Sequence, residues 1–111
     1  MIELARANAE RAGVAANIKF LHQAVSAIET EGTGWVVTNP PYGRRVSAKG
    51  DLRNLYAQFG KVLKTKLPGW RLAVLCSDMR LLGHTGLRLE TGLSFDNGGV
   101  RVRLGRGVVP E

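Results

Sequence analysis

An asparagine, two prolines and a tyrosine stand directly after an apolar run: Trp35, Val36, Val37 and Thr38 lead into Asn39-Pro40-Pro41-Tyr42-Gly43. Each proline fixes its own φ and pushes the residue before it out of the helical region, so Asn39 and Pro40 are expected to be extended and rigid. The Asn39 side-chain oxygen and the Pro40 carbonyl are then two acceptors carried on one stiff corner. Aimed into one pocket, they can receive both N–H bonds of an exocyclic amine and leave its lone pair free to attack. Tyr42 adds a flat face on which a planar base can stack. The same residue types also make ordinary turns. Placement at the end of a buried strand in an α/β pattern favours the amine-holding reading.

The other chemistry-bearing residues give weaker signals. Arg44, Arg45 and Lys49 follow the corner in a loop from which they could neutralise phosphates, or simply be solvated. Arg101, Arg103 and Arg106 alternate with Val100, Val102 and Leu104, a pattern read as one cationic face of a hairpin, either an RNA track or a solvated surface. Lys61, Lys64 and Lys66 read as a solvent face. His22 and His84 have no Cys or carboxylate partners at ligand spacing, so no metal is expected. Cys76 lies in "RLAVLC" and reads as a small buried hydrophobe; a single cysteine also excludes a disulfide within the chain. Asp78 reads as a helix cap rather than a general base.

These residues need elements to hold them. "MIELARANAERAG" spaces Ile2, Ala5, Ala9 and Ala12 as a helix ending at Gly13, with no capping residue and no strand before Met1, so the chain is expected to start mid-element. "NIKFLHQAV" alternates Ile18, Phe20 and His22 as a short strand. Trp35 to Thr38 reads as a strand buried on both faces. Asp51 is expected to cap a helix from Leu52 to about Leu67, with Leu52, Leu55, Tyr56, Phe59, Val62 and Leu63 as its apolar stripe. "RLAVLCS" is a second buried strand, and Ser77 or Asp78 caps a short helix through Leu82. "LRLETGLSF", "DNGG" and "VRVRLGRG" read as an antiparallel hairpin about an Asn-Gly turn. This order is α/β, with helices over a largely parallel sheet, and ligands in such sheets lie beyond the carboxyl ends of the strands.

Composition bounds the partners. The chain has 111 residues, 44% hydrophobic and 23% charged, enough for one modest core. Its formal net charge of +7 favours a polyanionic partner. No apolar run approaches the length of a membrane span and no signal peptide opens the sequence, so a soluble, cytoplasmic protein is expected.

With "VVTNPPYGRRV", "LYAQFGKVLKTKLPGWRLAVLCSD" and "FDNGGVRVRL" in view, the sequence resembles the C-terminal half of the class I S-adenosylmethionine-dependent methyltransferases that accompany a THUMP domain. These include ribosomal and transfer RNA guanine-N2 methyltransferases and proteins labelled, from the NPPY motif, N6-adenine-specific DNA methylases. The resemblance runs from Met1 to about Arg106. It implies a partial Rossmann-like methyltransferase fold with a C-terminal antiparallel hairpin, and S-adenosylmethionine as cofactor. The implied activity is methylation of an exocyclic amino group on a nucleobase. "GRR", "LPGW" and "NGG" tilt the target toward guanine N2 in ribosomal or transfer RNA. The alternatives are adenine-N6 methylation of DNA or RNA, and a non-catalytic nucleic-acid-binding fragment.

Carried onto this sequence, the resemblance makes Asn39, Pro40, Pro41 and Tyr42 the target-base motif, with Asn39 also beside the cofactor. Gln23 stands where relatives place an acidic residue near the adenine ring and could bond the adenine amine. The family's glycine-rich cofactor loop, the acidic residue that binds the ribose and the THUMP domain have no counterpart in residues 1–111. The resemblance therefore implies the C-terminal part of a catalytic domain, inactive alone, with sheet edges exposed to self-association.

Overall fold

The computed structural model describes residues 2–40 and 49–111. Helix α1 spans Ile2–Ala12, with Glu3 in its first turn and Arg11 in its last, where each complements the helix dipole. It ends in a Schellman motif: Gly13 adopts φ 76°, Gly13 N–H donates to the Glu10 carbonyl, and Val14 N–H donates to the Ala9 carbonyl (both 3.0 Å). The element it packs against most is the 3-10 turn Ala15–Asn17. The Arg6 guanidinium lies over the Phe20 ring, 5.8 Å from its centroid.

The strand expected around Ile18, Phe20 and His22 does not form; that segment joins no sheet and leads into a 3-10 turn at Val25–Ala27. Alternation specifies which way side chains point, but a strand also needs a neighbouring edge to bond. Ile18 and Leu21 stay exposed.

Four strands form one sheet in the order β1-β2-β4-β3. Strand β1 (Trp35–Thr38) runs parallel to β2 (Arg71–Cys76), with Trp35 opposite Arg71 and Thr38 opposite Val74. Strand β4 (Val100–Val108) lies antiparallel between β2 and β3 (Glu90–Asn97). The sheet is thus mixed: β1 and β2 supply its parallel part and the terminal hairpin its antiparallel part. Gly98 and Gly99, at φ 60° and 85°, form the turn of that hairpin.

Helix α2 (Lys49–Lys66) is the crossover between the parallel strands. It begins before Asp51, which is therefore inside the first turn rather than capping it. Helix α3 (Met79–Gly83) is capped by Asp78, whose carboxylate accepts from Arg80 N–H at 2.9 Å. Leu72, Val74 and Cys76 of β2 pack with Leu52, Tyr56, Leu63 and Leu67 of α2 and Leu81 and Leu82 of α3. Each such burial stabilises the fold by about 1.5–3 kcal/mol. The Tyr56 hydroxyl meets Cys76 Sγ at 3.3 Å, so the buried phenol has a polar neighbour. Gly60 lets α2 approach the α3–β3 connection: a Cβ there would run into the Thr85 carbonyl. Leu55, expected in the stripe, is 45% exposed.

Helices α2 and α3 and the main core cluster lie on one face of the sheet, while Val102 and Ala73 are buried on the other. Strand β1, expected to be buried on both faces, keeps Trp35 and Val37 exposed. It is an edge strand, and nothing described covers its second face. Among the described residues no helix is long and apolar enough to cross a membrane.

Candidate functional site

Asn39 and Pro40 leave the carboxyl end of β1, at the same end of the sheet as Cys76, Ser77 and Asp78 of the neighbouring parallel strand. Asn39 is exposed and Pro40 half-buried. An exposed amide at a strand end is available to a ligand, and its neighbouring proline restricts the backbone that carries it. Pro41, Tyr42, Arg44 and Arg45 lie outside the described residues. Lys49 is the first residue of α2.

The corner is positioned from the opposite end of β1. Trp70 Nε1 donates to the Gly32 carbonyl at 2.9 Å, and its ring lies against Gly34, where a Cβ would sit 3.0 Å from a ring carbon. Arg71 N–H donates to the Gly34 carbonyl at 2.9 Å, and the Arg71 guanidinium stacks over the Trp35 ring, 5.6 Å from its centroid. Lys66 Nζ donates to the Ser26 carbonyl at 2.6 Å, and Ile28 packs against the core. These contacts tie the approach to β1 onto the end of α2 and the start of β2, which sets the register from which Asn39 emerges. The role of Trp70 escaped the sequence reading; the signal present there was a tryptophan after Pro68-Gly69 together with a glycine on each side of Thr33.

Gln23 is exposed and lies just before the 3-10 turn at Val25–Ala27. Among the described residues no hydrogen bond joins it to Asn39. No group of three His, Cys, Asp or Glu side chains among the described residues could hold a metal ion. Cys76 is buried, with Sγ 3.4 Å from Asp78 N–H and 3.3 Å from the Asp78 carbonyl, so it braces the turn after β2.

The hairpin arginines do not form one face. Arg103 is opposite Cys76 and Arg106 opposite Ala73 on β2, so the two point to opposite sides of the sheet. The step from residue 103 to 106 is odd, and an odd step along a strand changes face. Each arginine also has a partner within the hairpin: Arg101 pairs with Asp96 at 3.4 Å, Arg103 donates to the Thr91 carbonyl at 3.1 Å, and Arg106 pairs with Glu90 at 2.6 Å. The Arg106 hydrogen bond, with a second bond from Gly92 N–H, holds the Glu90 carboxyl below its ordinary value.

Comparison with known proteins places this geometry among relatives. The family described as "UPF0020: RMKL-like, methyltransferase domain" matches residues 1–91. The "Ribosomal RNA large subunit methyltransferase K/L" of Shewanella sp. (strain MR-4) is 36% identical over 99 residues, covering 88% of this chain and 14% of that protein. The chain thus spans about one seventh of the curated relative's length. The crystal structure of SMU.472 complexed with SAH matches with a TM-score of 0.85 at 25% identity, over 96% of this chain and 28% of the other. A "predicted N6-adenine-specific DNA methylase" from Listeria monocytogenes str. 4b F2365 matches with a TM-score of 0.69 at 32% identity, over 93% of this chain and 27% of the other.

Proposed function

The chain belongs to the RMKL-like methyltransferase family, and from that premise we propose that it supplies the base-holding part of an S-adenosylmethionine-dependent enzyme that methylates an exocyclic amino group of a nucleobase. The substrate is guanine N2 in ribosomal or transfer RNA. The observation that carries this reading is the placement of Asn39 and Pro40, exposed and half-buried, at the carboxyl end of a parallel strand. The name of the Shewanella relative supports RNA as the polymer.

In this reading residues 1–111 are the C-terminal part of a catalytic domain, and the glycine-rich cofactor loop and the THUMP domain are not among them. In this reading the amides of Gln23 and Asn39, both exposed, would face the cofactor. The bound cofactor supplies an electrophilic methyl group. The Asn39 side-chain oxygen and the Pro40 carbonyl accept the two N–H bonds of the target amine and keep its lone pair free. As the nitrogen gains its new bond and positive charge, the sulfur–methyl bond would break and S-adenosylhomocysteine would leave; the same two acceptors stabilise the charge and the nitrogen then loses one proton to solvent, so orientation and electrostatics do the catalytic work. Tyr42 stacks on the base, and Arg44, Arg45 and Lys49 neutralise nearby phosphates. A target within a duplex would be flipped out to reach the corner. The protein works in the cytoplasm, where its RNA substrate is.

A second reading, adenine-N6 methylation, is favoured by the name of the Listeria relative. Titration of the 15N-labelled chain with guanosine, adenosine and inosine separates the two, because inosine lacks the exocyclic amine. Guanosine is expected to shift the Asn39 side-chain amide while inosine leaves it in place. A response to adenosine alone would select the second reading, and a response to none of the three would overturn both.

A further inference from the structure

We propose that the flank of α2 bordering the α3–β3 connection is a second nucleic-acid contact, a track that grips the phosphate backbone of the RNA away from the Asn39–Pro40 corner. This inference rests on the RNA reading above and adds a surface that reading does not use.

Charge is spread unevenly over the helical layer. Between residues 52 and 66, α2 carries Arg53, Lys61, Lys64 and Lys66 and no Asp or Glu. At the helical repeat, Arg53, Lys61 and Lys64 fall within about a quarter of the circumference. That sector borders the α3–β3 connection: a Cβ on Gly60 would run into the Thr85 carbonyl, and one on Gly86 would sit 2.6 Å from Lys64 Nζ. His84 and Arg88, both exposed, stand two residues to either side of Gly86. Lys66 lies on the other flank, where its Nζ bonds the Ser26 carbonyl.

These cations have no internal use. In the hairpin, Arg101 and Arg106 pair with Asp96 and Glu90, whereas among the described residues no carboxylate pairs with Arg53, Lys61, Lys64 or Arg88. Lys64, in the last turn of α2, complements the helix dipole, but that accounts for neither Arg53 nor Lys61. The exposure of the sector is a property of the layer. Helix α2 turns Leu52, Tyr56 and Leu63 to the sheet, and the cations lie off that stripe on the outer side that helices present in an α/β fold.

The chemistry of the flank selects the occupant. Beside the cations stand Asn54, Gln58 and Thr65, all exposed, with Ala57 between them and no large apolar side chain. A protein partner would call for an apolar centre and a lipid surface for an apolar face. Lys, Arg, Asn, Gln and Thr are instead the side chains that bond phosphate and sugar oxygens. From Arg53 to Lys64 the helix rises about 16 Å, room for several consecutive phosphates.

Anisotropy of a short labelled oligouridylate, titrated with the whole chain across a KCl series, tests this. Uracil has no exocyclic amine, so the result is independent of the base-holding corner, and its failure is distinct from failure of the methylation reading. Lys61→Gln with Lys64→Gln is expected to weaken binding about tenfold at low salt and to reduce the slope of log K against log salt by about 1.4. Arg11→Gln with Lys19→Gln removes the same charge elsewhere and is expected to leave the slope unchanged. Equal losses in the two double variants would overturn the proposal, because net charge alone would then explain the attraction. So would an oligouridylate that does not bind at low salt. Lys61 and Lys64 are exposed; if their double variant fails to fold, acetylation of the unmodified chain is read instead. Oligouridylate should then protect Lys61 and Lys64 and leave Lys19 reactive, and equal reactivity at all three with and without it would overturn the track.

Discussion

Among the described residues between 2 and 40 the one buried apolar side chain is Ala9, whereas Leu63, Leu72, Val74, Val102 and Val109 are withdrawn from solvent between residues 52 and 109. Composition does not separate these regions. The first contains Leu4, Val14, Ile18, Leu21, Val25, Trp35 and Val37, all large, apolar and exposed. The difference is one of partners: the second region has α2 and α3 to close over β2 and β4, and the first is held by a few tethers. Those tethers are the Lys66–Ser26 and Trp70–Gly32 hydrogen bonds and the β1–β2 ladder. The Asn39–Pro40 corner lies at the joint between the two regions, so its geometry is set by the packed region while its approach is made by the open one.

The largest expected effect separates the regions by cavity formation. Leu63→Ala removes a fully buried side chain and should destabilise the chain by about 2–5 kcal/mol in urea unfolding. Leu4→Ala, at a side chain 60% exposed, should change stability by no more than about 0.5 kcal/mol. Equal losses would mean that α1 is part of the same core.

A smaller effect probes the joint. Trp70→Phe keeps a ring beside Gly34 but deletes the indole donor to Gly32, which should cost about 0.5–1.5 kcal/mol. It should also loosen amide protection at Val36 and Thr38 more than at Leu72 and Val74. Uniform loosening would show that the contact serves the body as a whole.

The smallest effect lies within the packed region. Glu90 is held below its ordinary value of 4.5 by the Arg106 hydrogen bond, so its ionised form favours the folded state. That contribution is complete above 4.5 and is lost as pH falls through the lowered folded value. Carboxyl chemical shifts against pH should show Glu90 titrating below an ordinary glutamate, and Arg106→Gln should return it toward 4.5. An unchanged titration in that variant would remove Arg106 as the cause.

Much of this organisation was readable from local sequence. Gly13 marked the end of α1, Asp78 the start of α3, and Asn97-Gly98-Gly99 the hairpin turn, because each depends on the conformational habits of a few adjacent residues. The strand-end position of Asn39 was readable for the same reason. What local sequence lacked was the neighbour. The Ile18–His22 segment alternates like a strand but joins no edge among the described residues, and none of these covers Trp35 and Val37. Arg106 was assigned to the wrong face by counting it with Arg101 and Arg103. Trp70 became visible as a clamp once Gly32 and Gly34 were brought beside it by the sheet.

Residue-by-residue hydrogen exchange tests the central contrast most directly. The account predicts that the amides of β2, β4 and the middle of α2 exchange only on global unfolding, with the β1 amides bonded to β2 less protected and those of α1 least. Protection in α1 equal to that in β2 would contradict it, because it would show the two regions unfolding as one cooperative unit.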